Sequence, residues 1–553
     1  MDAPPGGSPA SNRFPTDATP QVPLILKPEA FEAGLSPHPD RAFVEYIVTA
    51  CTNGVNIGYT GPRTHRVSPN WSSCTKFKDA VASSLSKDIS LGRKLGPFPT
   101  PPSPNFMGSP MGAFEKRRSP GKHRVIHDLS WPPGHSVNDY ISPSDYSMCY
   151  MNVDDVVRHL CTLGRHSLLA KLDLADAFHH IRVRQEDWEL LGTTWPDNTG
   201  NITYFMSTVL PFGLRSSPKL FNDFALAAQY IMEYQGTTYV DHYLDDYITA
   251  GPADSLICQK NLDTMLNVCD TVGFAVNPSK VVQPRTQLEF LGIWIDTDKM
   301  ELRISEGRLQ EISLELHSWS SRRRGKKRSL LSLIGKLSFV SRVVRTGRSF
   351  LRRLIETATR AKHLHHYVAL TAEFHADLLW WATFLHQWNG ITMFPEADWG
   401  SNVDLELYTD ASDLALAGYL NGEWYVELTD TAHSINYREL KALVLAAASW
   451  GHKWAGKRII LHCDNQSVVY ILASGTSKNP LLMSLVRSFL FIAATHDFDY
   501  KAMYINTKDN VIADALSRLD FHRFWNLCPD ADTYMTTPPP TPLGHNCRAS
   551  PYQ

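Results

Sequence analysis

Two adjacent aspartates, Asp245 and Asp246, lie between aromatic residues in Tyr243-Leu244-Asp245-Asp246-Tyr247, and they constrain the fold more than any other feature of this chain. Neighbouring carboxylates repel, and Asp is depleted in strands. The flanks nevertheless read as a hairpin, with Thr237-Thr238-Tyr239-Val240 before the pair and Tyr247-Ile248-Thr249-Ala250 after it. Two acids at a strand turn make physical sense where a divalent cation neutralises them.

A third acid belongs to the same pattern. In LLAKLDLADAFHHIRV the apolar run Leu168-Leu169-Ala170 enters a strand, Asp173 falls near its end, and Asp176-Ala177-Phe178 turns away. Asp173 beside the Asp245-Asp246 turn would complete an oxygen-rich cage of the kind Mg²⁺ prefers. Alone, Asp173 reads equally well as a helix cap at a strand-to-helix junction.

The last third repeats the theme with different spacing. LELYTDASDLALAGYL predicts a strand ending at Asp410 and a return strand through Ala415–Tyr419. INYRELKALVLAAASW predicts an amphipathic helix with Leu440, Leu443, Val444 and Ala447 on one face and Glu439 near its start. RIILHCDNQSVVYIL predicts a strand ending at Asp464, and DNVIADALSRL opens a helix carrying Asp514. Any one of these acids reads as a cap, but capping is a poor account of four in this order.

A chain of 553 residues is too long for one core. Its net charge of −2 is not that of a simple nucleic-acid binder, although acidic sites would offset a locally basic groove. Nine cysteines without a Cys-x-x-Cys pair argue for a reducing intracellular setting, cytoplasmic or nuclear, and against a zinc ribbon. No apolar run reaches transmembrane length, so no membrane partner is expected.

Taken together these motifs resemble a reverse transcriptase. LDLADAF and YLDDY resemble its two metal-binding motifs, LPFGLRSSPKLF the template- and nucleotide-positioning motif, and LEFLGIWI the primer-grip region. TDAS, YREL, CDN and ADALSR resemble ribonuclease H. The Leu-Pro-Phe-Gly-Leu form is similar to Gypsy-type polymerases. The upstream blocks LSPHPDRAFVEYIVTACTNGVNIGY and GPFPTPPSPNFMGSPMGAFEKRRSPGKHRVIHDLSWPPGHSVNDYI resemble the DIRS group of retrotransposons, which carry a tyrosine recombinase.

The resemblance implies an α+β multidomain fold. A right-hand polymerase of fingers and palm (35–300) and thumb or connection helices (301–400) would precede a ribonuclease H-like α/β domain with a mixed five-stranded sheet (401–525). Disordered tails are expected at 1–34 and 526–553. It implies RNA-directed DNA synthesis and hydrolysis of the RNA strand of the hybrid, each with two Mg²⁺, or Mn²⁺ in their place. Asp173, Asp245 and Asp246 would ligate one pair, and Asp410, Glu439, Asp464 and Asp514 the other. Partners would be an RNA template, a DNA primer, their hybrid, dNTPs and a separately encoded recombinase.

Residue roles follow from the same resemblance. Arg124, in the Gly121-Lys122-His123-Arg124 turn, would hold the triphosphate with Lys116 or Arg117. Phe178 would lie under the sugar and exclude a 2′-hydroxyl. Phe212 and Gly213 would pack against the template base pair, and Lys280 would protonate pyrophosphate. The corresponding ribonuclease H loop, YINTKDNVIADALSR, lacks the His that many relatives carry there.

Between Arg322 and Lys362 stand fourteen Lys or Arg against one acid, Glu356. We read the segment as amphipathic helix with a basic face, in which Arg322, Arg323, Arg324, Lys326, Lys327 and Arg328 track a duplex backbone. A localisation signal is the other reading of RRRGKKR. For the whole chain, the competing reading is a domesticated descendant that binds hybrids without turnover.

Overall fold

The computed structural model describes residues 25–115, 121, 123–388, 390–394, 405–429, 431–475, 477 and 479–540. They form two compact units, one from the chain up to Asn152 together with Leu168–Arg285, the other from Val153–Ser167 and the chain from Thr286 onward. The fold is mixed α+β throughout. No helix among the described residues is long and apolar enough to cross a membrane.

The first unit is centred on a four-stranded antiparallel sheet in the order Val282–Arg285, Leu168–Asp173, Asp246–Gly251, Val240–Tyr243. Its strands are built from Leu, Val, Ile, Tyr and Thr, which fit a pleated buried surface. Leu172, Val240 and Tyr247 pack with Phe221, Phe224 and Ala228 of the helix Ser217–Tyr234, and with Val268 and Cys269 of the helix Ile257–Val272. A second, five-stranded sheet includes Gly192–Pro196 paired with Ile202–Ser207, and a separate hairpin joins Met111–Glu115 to His123–His127.

The expected N-terminal tail needs correction. Pro28–Gly34 is a helix with Pro in its first turn, and Phe31 is wholly buried against Phe224, with ring centroids 6.0 Å apart. Burying that ring contributes about 2–3 kcal/mol, enough to hold a short helix on the core.

In the second unit, antiparallel strands Gln287–Phe290, Ile293–Asp296 and Glu301–Arg303 pair with Ile391–Met393. Helices Glu306–Ser320, Lys327–Val340, Arg352–Thr359 and Ala372–Gln387 follow. The expectation of one basic amphipathic helix fails at its start. Arg324–Lys326 is a strand paired antiparallel with Tyr367–Ala369, and only from Lys327 does the chain become helical. Leu330, Leu333, Ile334, Leu337 and Val340 form the buried face, whereas Leu331 points outward.

The C-terminal part holds a five-stranded mixed sheet in the order Glu423–Leu428, Ala415–Leu420, Leu405–Ala411, Arg458–Cys463, Asp499–Tyr504. The first three strands are antiparallel and the last three parallel. The helix Ile435–Trp450 buries Leu440, Leu443, Val444 and Ala447, the face read from its spacing. The helix Pro480–His496 is tied to Ala372–Gln387 by Arg487, whose guanidinium donates to the buried Asp377 at 3.2 Å. The expected C-terminal tail also begins too early. Asp532 and Thr536 donate backbone N–H groups to the carbonyls of Gly422 and Trp424 at 2.9 and 2.8 Å, so the described chain to residue 540 runs along the sheet's edge.

Candidate active sites

The first acid cluster is assembled by strand register. Asp246 stands directly opposite Asp173 in the antiparallel ladder, and Asp246 pairs back to Tyr243, leaving Leu244-Asp245 as a two-residue loop. Such loops need a left-handed first residue to match strand twist, and Leu244 has φ +56°. A branched side chain there is strained. The Tyr247 hydroxyl donates to the Ala225 carbonyl at 3.1 Å, and the Leu174 N–H donates to the Asp245 carbonyl at 3.0 Å, fixing the turn beside the neighbouring strand.

Like charges opposite each other across a ladder are destabilising, and the site shows it. Burial, then the charges of Asp245 and Asp173, push Asp246 up to about 6. Burial and the Asp173 charge also raise Asp245. Lys171 and Lys280 oppose them, and the Lys280 ammonium donates to both Asp173 oxygens, at 2.5 and 2.9 Å. The sequence-based role for Lys280 as a proton donor did not anticipate this contact.

Around this cluster the remaining predicted residues are placed unevenly. Phe178 is half-buried, its ring 4.9 Å from Phe212 and 5.7 Å from Phe221. Phe212 is exposed. Gly213 has φ +104°, and a Cβ there would lie 2.3 Å from the His127 carbonyl oxygen, so no other residue fits without displacing backbone. Asn138, which the sequence reading missed, locks this turn: its amide donates to the Gly213 carbonyl at 2.8 Å and accepts from the Arg215 N–H at 2.8 Å. Arg124 is exposed on the Met111–His127 hairpin, and no hydrogen bond or ion pair among the described residues connects it to the acids. Lys116 and Arg117 lie outside the described residues.

The second cluster sits at the ends of the two central strands of the C-terminal sheet. Tyr408 pairs with His462 in parallel register, so Asp410 and Asp464 emerge side by side, two residues further along each strand. Glu439 accepts the Ala411 N–H at 3.1 Å. Ligand atoms of Glu439, Cys463 and Asp464 all lie within 4.8 Å of one another. Asp514, from the helix Val511–Ser517, is buried and contributes to the field at Asp410.

Crowding is more severe here. Burial, then Asp410 and Asp464, raise Glu439 to about 9. Burial raises Asp410 to about 6 against the hydrogen bond from Ser517, with Asp464 and Asp514 adding to the rise. The arginines serve Asp514, which accepts from Arg518 at 2.6 Å and Arg523 at 2.8 Å. Thr507, in the loop that lacks the expected His, donates to Asp464 at 2.8 Å. Arg518, Arg523 and Thr507 were not picked out from sequence. The arginines fall four and nine residues beyond Asp514, a spacing that marks the helical i,i+4 pair alone.

Both clusters are carboxylate sets whose mutual repulsion and burial favour a hard divalent cation with oxygen ligands. Among the described residues, Glu439, Cys463 and Asp464 are the set whose ligand atoms are already gathered within 4.8 Å; Asp173, Asp245 and Asp246, like Asp410 and Asp514, offer oxygen ligands that are not drawn together into such a set. Cys463 brings a softer thiol to the gathered set.

Residues 124–295 match the family described as reverse transcriptase (RNA-dependent DNA polymerase). The chain is 29% identical over 182 residues to the Gag-Pro-Pol polyprotein of Human T-cell leukemia virus 2, covering 32% of this chain and 12% of that protein. It is 21% identical over 364 residues to a putative enzymatic polyprotein of Cassava vein mosaic virus, covering 63% of this chain and 52% of the other. It is 22% identical over 409 residues to the transposon Tf2-3 polyprotein of Schizosaccharomyces pombe, covering 69% and 27%. The chain thus spans between about a tenth and half the length of these relatives. Among solved structures, a foamy viral protease-reverse transcriptase in complex with double-stranded DNA aligns with a TM-score of 0.47 at 16% identity, over 90% of this chain and 84% of that one.

Proposed function

We propose that the chain is an RNA-directed DNA polymerase that also hydrolyses the RNA strand of an RNA–DNA hybrid. The observation that carries this is the pair of separate carboxylate clusters at strand ends, the first inside the stretch that matches the reverse transcriptase family and the second on a five-stranded mixed sheet. Mg²⁺ suits both, since its ligands are hard oxygens. When bound, paired cations supply charge stabilisation for the attacking and leaving oxygens.

The chain's own residues divide the remaining work. In the first site the hairpin presents Asp245 and Asp246 beside Asp173, and Lys280 stands ready to give up Asp173 and face a leaving phosphate. Phe178 would lie under a deoxyribose, the Phe212-Gly213 turn would bear on the template base pair, and Arg124 would hold the triphosphate of a dNTP. In the second site Glu439, Asp410 and Asp514 are the buried members, while Thr507 orients the less buried Asp464. The basic surface from Arg322 to Arg328 holds the template–primer.

The same reading makes the chain the polymerase component of a DIRS-like element, acting inside the cell with a separately encoded recombinase. A tyrosine-recombinase reading frame adjoining the gene supports that assignment, and its absence from all copies counts against it. The enzymatic reading is tested by incubating purified protein with a primed RNA template, Mg²⁺ and dNTPs, and in parallel with a labelled RNA–DNA hybrid. Extension and cleavage are both expected. Binding of hybrid with neither reaction would sink it in favour of a non-catalytic binding protein.

A further inference from the structure

We infer that the short ribbon formed by Arg324–Lys326 and Tyr367–Ala369 is a binding site for single-stranded nucleic acid, with Tyr367 as the platform on which one unpaired base stacks. This rests on the reading of the chain as a nucleic-acid-processing enzyme and adds to it a site that discriminates single strands from duplex.

The ribbon has two unlike faces. Arg324 is paired with Ala369, Gly325 with Val368 and Lys326 with Tyr367. Strand alternation therefore puts Arg324, Lys326, Tyr367 and Ala369 on one face, and all four are exposed, while Gly325 and Val368 are buried beneath. The buried face is fixed. A Cβ at Gly325 would lie 2.5 Å from the Trp319 indole, so the strand rests directly on that ring. Backbone N–H groups of Lys327 and Arg328 donate to the carbonyls of His366 and Leu364, both at 2.9 Å, which lashes the turn before Tyr367 to the start of the next helix.

The open face has the chemistry of a stacking site. Tyr367 is 58% exposed, and a large aromatic is left in water only at a cost in unburied apolar surface. The Arg324 guanidinium lies 5.3 Å from its ring centroid and the Lys326 ammonium 5.7 Å. His363, His365 and His366 surround the same turn and are exposed. From Arg322 to Ala369 the one acid is Glu356, and its carboxylate is taken up by Arg352 at 2.9 Å. A cationic face with an exposed ring matches how proteins hold single strands, with cations on successive phosphates and aromatic rings under bases. A duplex buries its base faces in its own stack, so it can use the cations but not the ring.

The test measures anisotropy of labelled oligo-dT, oligo-rU and a blunt duplex with the full chain in the absence of divalent cation. Tyr367→Ala is expected to weaken single-strand binding by about five- to a hundred-fold, the range for one lost stacking contact, with duplex affinity unchanged. Tyr367→Phe keeps the ring and should bind like the parent. The double change Arg324→Ala with Lys326→Ala should make the single-strand salt dependence shallower by about one to two log units per log unit, and it reports on the site if Tyr367→Ala lowers the melting temperature. Unchanged single-strand affinity in Tyr367→Ala overturns the inference, as does equal loss for single strand and duplex, which would make the ribbon a general phosphate contact. Primer extension by the parent chain separates the two levels. Extension together with a silent Tyr367 defeats this site alone, whereas a Tyr367-dependent site without extension leaves it standing while the polymerase reading fails.

Discussion

The two acid clusters solve the same electrostatic problem in opposite ways. In the first, a lysine of the same unit lies on the acid that faces the pair: Lys280 holds Asp173, and Asp246 is displaced only to about 6. In the second, the arginines neutralise the outlying Asp514, while Glu439, the deepest member, is left among carboxylates and rises to about 9. In the first site the counter-charge lies on an acid of the ladder itself; in the second, Arg518 is bonded to Asp514 and reaches Asp410 only through its field. Sequence motifs of equal clarity can thus hide different charge environments, because the difference lies in which basic residue reaches which acid.

The largest expected effect tests whether the clusters are separate at all. Asp245→Asn should reduce primer extension by about a thousand-fold or more, as removal of a ligand from a metal contributing several kcal/mol implies, and leave hybrid cleavage intact. Asp464→Asn should do the reverse. Parallel assays on both variants decide it, and joint loss of both activities in either would contradict two independent centres.

Next in size is Gly213→Ala. A Cβ 2.3 Å from the His127 carbonyl must displace backbone at the Phe212 turn. Extension should fall by about ten- to a hundred-fold, as expected for misplacing a substrate by an ångström, with cleavage unaffected. Equal extension by this variant would remove the turn from the polymerase machinery.

A finer probe makes the first cluster resemble the second. Lys280→Met removes the cation bonded to Asp173, so the Mg²⁺ concentration for half-maximal extension should drop severalfold, even as the maximal rate declines. The Mg²⁺ titration of cleavage should not move. A rise in the Mg²⁺ requirement for extension would show that Lys280 assists metal binding instead of competing with it.

Phe178→Ala should raise ribonucleotide use relative to deoxyribonucleotides. The ring also touches Phe212 and Phe221, so some loss of thermal stability is expected alongside. Selectivity unchanged at a lowered melting temperature would make Phe178 packing alone.

The smallest effect concerns the basic surface. On sequence grounds, neutralising Arg322, Arg323 and Arg324 together makes the salt slope shallower by about two to three if each contacts one phosphate. Arg322, however, stacks 4.7 Å over Trp319 and donates to the Ser318 carbonyl at 2.8 Å. The log–log salt slope for primed template should therefore become shallower by about two, not three.

What was legible in the sequence follows from locality. Asp173, Asp245, Asp410 and Asp464 could be placed because each ends an apolar run or sits at a turn, and Glu439 because its helix shows a clear apolar face. The contacts of Lys280 with Asp173 and of Thr507 with Asp464 span 107 and 43 residues, and no local pattern encodes them. The apolar recurrence that predicts helix begins only at Leu330, Leu331 and Ile334; RRRGKKR itself has no hydrophobic period, and there Arg324–Lys326 forms a strand. Phe31 was lost in a Pro-rich stretch because one aromatic is too little to show periodicity.

The pairing of Asp246 with Asp173 has a consequence for how this gene can change. Cross-strand alignment is set by counting residues, and a slip of one position turns every side chain to the opposite face. A single codon inserted anywhere within Leu168–Asp173 would therefore rotate the acid out of the cluster as surely as replacing it, although the carboxylate itself would still be encoded. Insertions in the exposed turn at Asp197–Asn201 escape that arithmetic, since no aligned acid depends on its length. Length variation among descendants of this chain should thus accumulate between strands and be purged within them.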